Sequence, residues 1–540
     1  MSTKSTMMEY PLTLTNIVER LGLYYPSVEV VSRMPDKSLH RTNYLAVQQR
    51  AKRLASALTK RGIKKGDCVA TLMWNHYAHL EAYLGIPIMG GVIHTLNLRL
   101  SPEDIAYIAN HANDQILIID DILLPLYEQF KKDVSFKEVI VVPLSGEAVS
   151  AEYTDYEEYL RSGDSDFTYP EIDENDAAGM CYTSGTTGRP KGVVYSHRST
   201  VLHSMAEAMA DTLAISQFDV VTPVVPMFHA NAWGLPYTSA LVGAKQVLPG
   251  PHLDAESLLD LYESEQVTLS AGVPTIWMAI KQARESEPER WKTAPNMRMA
   301  VGGAAVPESL FRAFDTFDMK IIQAWGMTET GPLATLGLVK NNLLECDEDA
   351  QYAYRVKQGV ALPFIDIRIV DEQGATLPWD GSTSGNTELR GPWVTGSYHQ
   401  NEGADDKFSD DGWLRTGDVC QIDKEGYVKL TDRTKDLVKS GGEWISSVDL
   451  ENAIMGHPDV LEAAVIAVAH PKWDERPLAV IVVKDGKVVT TKDIRQFLDG
   501  KFAKIWLPDA VETIEEIPKT STGKFMKLTL REQYKDWVWD

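Results

Sequence analysis

Apolar residues recur at helical spacing through Tyr44, Val47, Ala51, Leu54, Ala55 and Leu58, and Gly62 follows where a helix would be capped. A strand over residues 69–73, a helix over about 77–89 and a strand over 92–94 come next, which is a βαβ rhythm and predicts a largely parallel sheet. Ser101, Pro102, Glu103 and Asp104 combine a hydroxyl cap, a first-turn proline and carboxylates at the positive end of the dipole, so another helix starts there. Residues 116–119 and 139–142 are short, wholly apolar runs of the kind buried on both faces, and they extend the same sheet. Residues 297–310 and 320–331 each read as a strand running into a glycine turn. In the first, Pro307 falls in the first turn of the helix that follows; in α/β sheets such turns are where ligands sit. Beyond a charged, glycine-rich stretch near residue 440, residues 448–455 and 492–502 look helical, while 463–468, 478–483 and 510–516 look extended. That makes a small α+β unit of about a hundred residues.

At 540 residues, with 44% hydrophobic content, the chain has material for more than one core, and two or more domains are expected. The formal charge of −23 opposes binding to nucleic acid or an anionic membrane through a general field, so anionic substrates must meet local cations. Cys68, Cys181, Cys346 and Cys420 lie far apart with no CxxC pair, which signals neither a zinc site nor a disulfide framework. The first residues carry no apolar leader, and the longest apolar stretch is broken by Pro87, Gly90 and Gly91. A cytoplasmic protein without an integral membrane segment is expected.

Candidate chemistry concentrates in MCYTSGTTGRPKGVVYSH, Met180 to His197. Thr183, Ser184, Thr186 and Thr187 supply hydroxyls, Gly185, Gly188 and Gly192 let backbone N–H groups approach a ligand, and Arg189 and Lys191 supply charge. Together they suit a polyphosphate. A plain surface linker has no use for a lysine and four hydroxyls. The apolar flanks predict that the loop joins two strands, and Lys191 after Pro190 departs from GxxxxGK[ST], so a Walker nucleotidase is disfavoured.

Four further stretches carry functional side chains. His229 and Trp233 in PMFHANAWGLPY lie four apart and share a face if the stretch is helical, forming a wall of an apolar cavity; a satisfied core histidine is the alternative. Thr328 beside Glu329 after a predicted strand suits Mg²⁺ at a nucleotide phosphate. Asp418 and Arg433, each beside turn residues, are candidates to grip ribose hydroxyls. IPKTSTGKFMK, residues 517–527, offers hydroxyls, glycine and lysines to an anion, and otherwise reads as a solvated basic tail.

In this order the motifs resemble the acyl-CoA synthetase branch of the adenylate-forming superfamily, over nearly the whole chain. The wording HANAWGLPY is most similar to ligases for medium-chain fatty acids and for 3-methylmercaptopropionate. The resemblance implies an α/β protein, with a large N-terminal domain of mixed sheets flanked by helices (residues 1–434) and a small mobile α+β C-terminal domain (435–540) that pivots near Lys435. It implies two half-reactions, carboxylate with Mg·ATP to acyl adenylate and pyrophosphate, then CoA to acyl-CoA and AMP. ATP would meet Thr183, Ser184, Gly185, Thr186, Thr187, Gly188, Lys191, Gly303, Ala304, Ala305, Ala324, Trp325, Gly326, Met327, Thr328, Asp418 and Arg433. Thr183 and Glu329 would bind Mg²⁺, and Lys524, Glu329 and His229 would be catalytic. The acyl group would lie among His229, Trp233, Gly302, Gly303, Gly326, Pro332 and Leu333, and CoA would pass Ser440, Gly441, Gly442 and Glu443. A homodimer is the assembly such a resemblance suggests. An aryl-CoA ligase and a catalytically silent nucleotide-binding relative are the competing readings, the latter opposed by the presence of Lys191, Glu329 and Lys524.

Overall fold

The computed structural model describes residues 5–183, 189–401, 406–433, 435–440, 443–520 and 525–539. Two large sheets dominate the N-terminal part. One has seven strands in the order Thr154–Asp155, Glu138–Val142, Ile116–Asp120, Cys68–Leu72, Val92–Thr95, Ala177–Tyr182 and Gly192–Ser196, parallel throughout except for the last pair. The other has nine, with a parallel interior running from Met319–Gly326 through Met297–Val301, Leu269–Gly272, Val220–Pro223 and Lys245–Leu248 to Glu29–Arg33, and antiparallel pairs at its edges.

The helix Tyr77–Ile88 lies between these sheets, and every residue from Ala78 to Ile88 is buried. A helix apolar on all sides has no solvent face to offer, so it becomes the shared filling of two layers. Tyr44–Lys60 packs beside it, capped by Asn43 at its start and followed by Gly62 at φ +83°. Ser101 caps Pro102–His111 through the Asp104 N–H.

A four-stranded antiparallel sheet, Asp366–Val370, Ser384–Arg390, Leu414–Ile422 and Val428–Arg433, leads to the C-terminal unit. There a sheet of five strands between Val438 and Thr513 packs against the helices Ser447–Met455 and Thr491–Leu498, the latter ending four residues short of the predicted 502. Pro307 stands at the N-cap of Glu308–Thr316, one position before the predicted first turn. Cys68, Cys181 and Cys420 are buried and Cys346 is exposed. Among the described residues no helix is long and apolar enough to cross a membrane.

Candidate active site

The glycine-rich segment joins two antiparallel strands, Ala177–Tyr182 and Gly192–Ser196, as its flanks predicted. The base of the loop is closed twice: the Thr183 N–H donates to the Lys191 carbonyl at 2.9 Å, and the Lys191 N–H donates to Thr183 Oγ1 at 3.1 Å. Ser184, Gly185, Thr186, Thr187 and Gly188 lie outside the described residues. Lys191 places Nζ 5.2 Å above the Tyr398 ring, a cation–π distance. The Tyr398 hydroxyl in turn donates to Glu329 Oε1 at 2.7 Å. Burial, reinforced by the Glu329 carboxylate, pushes the phenol up, so Tyr398 keeps its proton for this bond. One tyrosine therefore joins the loop lysine to the buried acid, although Tyr398 lies 69 residues beyond Glu329 and carried no local sequence signal.

Glu329 sits in the 3₁₀ turn Thr328–Thr330, fastened from several sides. Tyr195 OH donates to the Thr328 carbonyl at 2.7 Å, the Thr395 N–H to the Glu329 carbonyl at 2.8 Å, and the Met327 N–H to Thr330 Oγ1 at 2.9 Å. Such a turn does not drift, so the carboxylate is held in place before any ligand arrives.

Asp418, beside Gly417 at φ +80°, and Arg433 are direct partners across the antiparallel pair Leu414–Ile422 and Val428–Arg433. Asp418 Oδ2 accepts from Trp325 Nε1 at 3.0 Å, and Arg433 Nε lies 3.8 Å from Asp418 Oδ1. Trp325 is the penultimate residue of the strand Met319–Gly326, which also carries Ala324 and Gly326, with Met327 next. A Cβ at Gly326 would stand 1.8 Å from the Pro332 carbonyl oxygen, so only glycine fits there.

The neighbouring turn, Gly302 to Ala305, follows the strand Met297–Val301, with Gly303 at φ +92° and its residues from Gly303 to Ala304 exposed. Trp233 closes over it: a Cβ on Gly302 would come within 3.0 Å of the indole. The helical expectation for His229 and Trp233 is corrected. Ala230, Asn231, Ala232 and Trp233 all have positive φ, 41°, 55°, 49° and 56°, and form a left-handed turn after the half-buried His229. His203, which the sequence reading passed over, accepts the Leu333 N–H on Nε2 at 3.1 Å.

Across from this turn, Ala304, Ala305, Pro307 and Met278 line a small apolar cleft with Met455 and Phe525 from the C-terminal unit. Lys524 lies outside the described residues; Phe525 is the next residue of the chain. Gly441 and Gly442 also lie outside them, as does the side chain of Glu443. Lys435 and Ser440 take their partners from the C-terminal unit: the Lys435 carbonyl accepts from Arg531 at 3.2 Å, and Ser440 Oγ accepts from Arg476 Nη1 at 2.9 Å. Among the described residues no three or more His, Cys, Asp or Glu side chains cluster to hold a metal ion.

The family model described as AMP-binding enzyme matches residues 25–399, and that of the AMP-binding enzyme C-terminal domain matches residues 449–524. A long-chain-fatty-acid–CoA ligase of Thermus thermophilus is 49% identical, across 99% of this chain and 97% of its own. A 3-methylmercaptopropionyl-CoA ligase of Ruegeria pomeroyi is 43% identical, across 98% of each. Among solved structures, ATP-bound MatB from Rhodopseudomonas palustris superposes with a TM-score of 0.80 at 26% identity, covering 97% of this chain and 99% of that one.

Proposed function

The chain belongs to the AMP-binding enzyme family, and from that premise we propose that it is an ATP-dependent, AMP-forming acyl-CoA synthetase acting on a short- to medium-chain fatty acid or a thioether acid such as 3-methylmercaptopropionate. A carboxylate oxygen attacks the α-phosphorus, the bond from that phosphorus to the bridging oxygen breaks, and pyrophosphate leaves with the electron pair. The CoA thiolate then adds to the acyl carbonyl and AMP departs. The observation that carries this reading is the linked set Lys191–Tyr398–Glu329 beside Trp325–Asp418–Arg433: one group suited to a triphosphate tail, the other to a ribose.

In this reading Thr183, Lys191 and the loop residues 184–188 hold the β- and γ-phosphates, and Asp418 and Arg433 hold the ribose. Gly303, Ala304, Ala305, Ala324, Gly326 and Met327 frame the adenine and the reacting carboxylate, with His229, Trp233, Gly302 and Pro332 around the acyl chain. Glu329 and Thr183 are the oxygen donors a hard cation takes, and one or two protein oxygens plus phosphates are the usual set for Mg²⁺. When bound with the triphosphate, Mg²⁺ neutralises its charge. Lys524 bridges the carboxylate and α-phosphate in the first step, which is mostly electrostatics and positioning. Residues 435–540 pivot near Lys435 between steps, exchanging Lys524 for Ser440, Gly441, Gly442 and Glu443 along the pantetheine path. The cytoplasmic pools of ATP and CoA make the cytoplasm the proposed compartment, and a homodimer is the proposed assembly.

The test is a panel of C2 to C12, aryl and thioether acids scored for AMP, pyrophosphate and acyl-CoA. Lys524→Ala should abolish pyrophosphate release while thioester formation from supplied acyl adenylate persists. Radiolabel recovered in ADP, or equal loss of both steps, would overturn the assignment.

A further inference from the structure

Next to the chain neighbours of Trp233 and Pro332 lies a small, partly open cavity whose walls are part polar and part apolar. Ser199, Thr200, His203 and Asn231 supply its polar side, the rings of Tyr195, Tyr237 and Trp393 the rest, and Gly234 and Gly331, the chain neighbours of Trp233 and Pro332, also lie along it. Its free space is on the order of one water molecule. It therefore seats one or two atoms of a ligand, not a chain.

Glu207, one helical turn beyond His203, is fully buried and packs against Gly234, a lining residue of this cavity. Thr238 Oγ1 donates to Glu207 Oε2 at 2.5 Å, but Oε1 has no hydrogen-bond partner. A buried carboxyl oxygen left unmatched is costly, so a group that meets it is bound favourably. His203 uses Nε2 to accept the Leu333 N–H, which puts the neutral ring's proton on Nδ1. That nitrogen and Glu207 Oε2 converge on the Gly234 backbone: a Cβ there would stand 2.6 Å from Nδ1 and 3.1 Å from Oε2. Gly234, at φ +84°, has no Cβ, which is what lets both groups lie this close to its backbone at the cavity wall. Burial raises the Glu207 carboxyl to about 8 and lowers the His203 imidazole to about 3, so both are uncharged at neutral pH. A neutral acid and a neutral N–H donor suit an uncharged partner and reject a second carboxylate.

We propose that Glu207 and His203 form the distal end of the acyl site and select acids whose tail carries one uncharged hydrogen-bond acceptor, such as a hydroxyl, ether, keto or thioether atom, over the all-carbon counterpart. This rests on the acyl-CoA synthetase reading and deepens it. It separates thioether from methylene, which an apolar pocket of the same shape discriminates poorly.

The experiment compares matched acids of equal heavy-atom count, with the heteroatom walked one position at a time along the chain, by pyrophosphate release and acyl-CoA formation. In the unaltered protein one position should favour the heteroatom acid by about tenfold or more in kcat/KM. Glu207→Leu should collapse that ratio to near one or reverse it, and Glu207→Gln should keep part of it. Thermal melts check that each variant folds. If Glu207→Leu does not fold, Thr238→Val carries the test, because it frees Glu207 from its one partner and should alter the same ratio. Ratios near one at every position, or a ratio that these variants leave unchanged, would overturn the inference while leaving acyl-CoA synthesis standing. If no acid on the panel yields pyrophosphate, the reading of the enzyme itself falls and this inference with it.

Discussion

Tyr398 shows how much depends on single side chains that no motif announces. Its ring lies under Lys191 and its hydroxyl binds Glu329, so it orients two groups of the proposed triphosphate site at once. Tyr398→Phe keeps the ring and removes only the hydroxyl. Groups that orient a metal-binding carboxylate typically matter by a factor of 10 to 100, so the Mg²⁺ concentration needed for half-maximal pyrophosphate release should rise by roughly tenfold or more. A titration of Mg²⁺ at saturating ATP measures it, and an unchanged midpoint would remove Tyr398 from the site. Thr183, Lys191 and Glu329 were legible in the sequence because hydroxyls, glycine and charge crowd into short stretches. Tyr398, His203 and Glu207 were not, since their partners come from strands and helices far away in the chain.

At the level of elements, periodicity served well wherever one face or all faces are buried: the helices Tyr44–Lys60 and Tyr77–Ile88 and the strands Cys68–Leu72, Val92–Thr95, Ile116–Asp120 and Glu138–Val142 fall where the apolar pattern put them, whereas the two-residue edge strand Thr154–Asp155 had no such pattern. It failed at Pro226 to Tyr237, because a left-handed turn has no residue period to read, and only Gly234 in it is conformationally free to adopt positive φ. Each non-glycine residue held there costs about 1–2 kcal/mol. Ala232 and Ala106 are both buried, but Ala106 sits inside the ordinary helix Pro102–His111. Ala106→Gly should therefore cost about 1–2 kcal/mol, from lost helix propensity and a lost methyl. Ala232→Gly should be close to neutral, since relief of the backbone offsets the methyl. Denaturant unfolding of the two variants compares them, and equal destabilisation would show that the turn carries no such strain.

Across the whole molecule, contacts from Lys429 to Asp432 fasten the C-terminal unit to the strand that precedes it. Ser447 donates to Asp432 Oδ2 through its N–H at 2.7 Å and its hydroxyl at 2.6 Å, Lys429 pairs with Asp449 at 3.0 Å, and Ser446 Oγ binds the Thr431 carbonyl. Behind them Lys527 contacts Ser447 Oγ and Glu451 at 2.6 and 2.7 Å; burial opposes its charge, but Glu451, Asp432 and Asp436 outweigh that and keep it protonated. Three residues from Lys524, this anchor favours the arrangement in which Phe525 lies beside Ala304 and Ala305. Ser447→Ala removes two hydroxyl bonds and should slow adenylate formation by about three- to tenfold, with a smaller change in thioester formation from supplied adenylate. Rapid-quench measurement of the two half-reactions decides it, and equal slowing would argue against a moving unit.

The cysteine distribution gives a direct way to watch such a movement. Burial pushes the thiols of Cys68, Cys181 and Cys420 up, Cys68 to about 12, whereas Cys346 is open to solvent. A maleimide dye added to the native protein should therefore attach at one place without any cysteine being removed. Val488 is 85% exposed on the C-terminal unit, so Val488→Cys would add a second fluorophore, and energy transfer between the two would report each turnover as a change in colour.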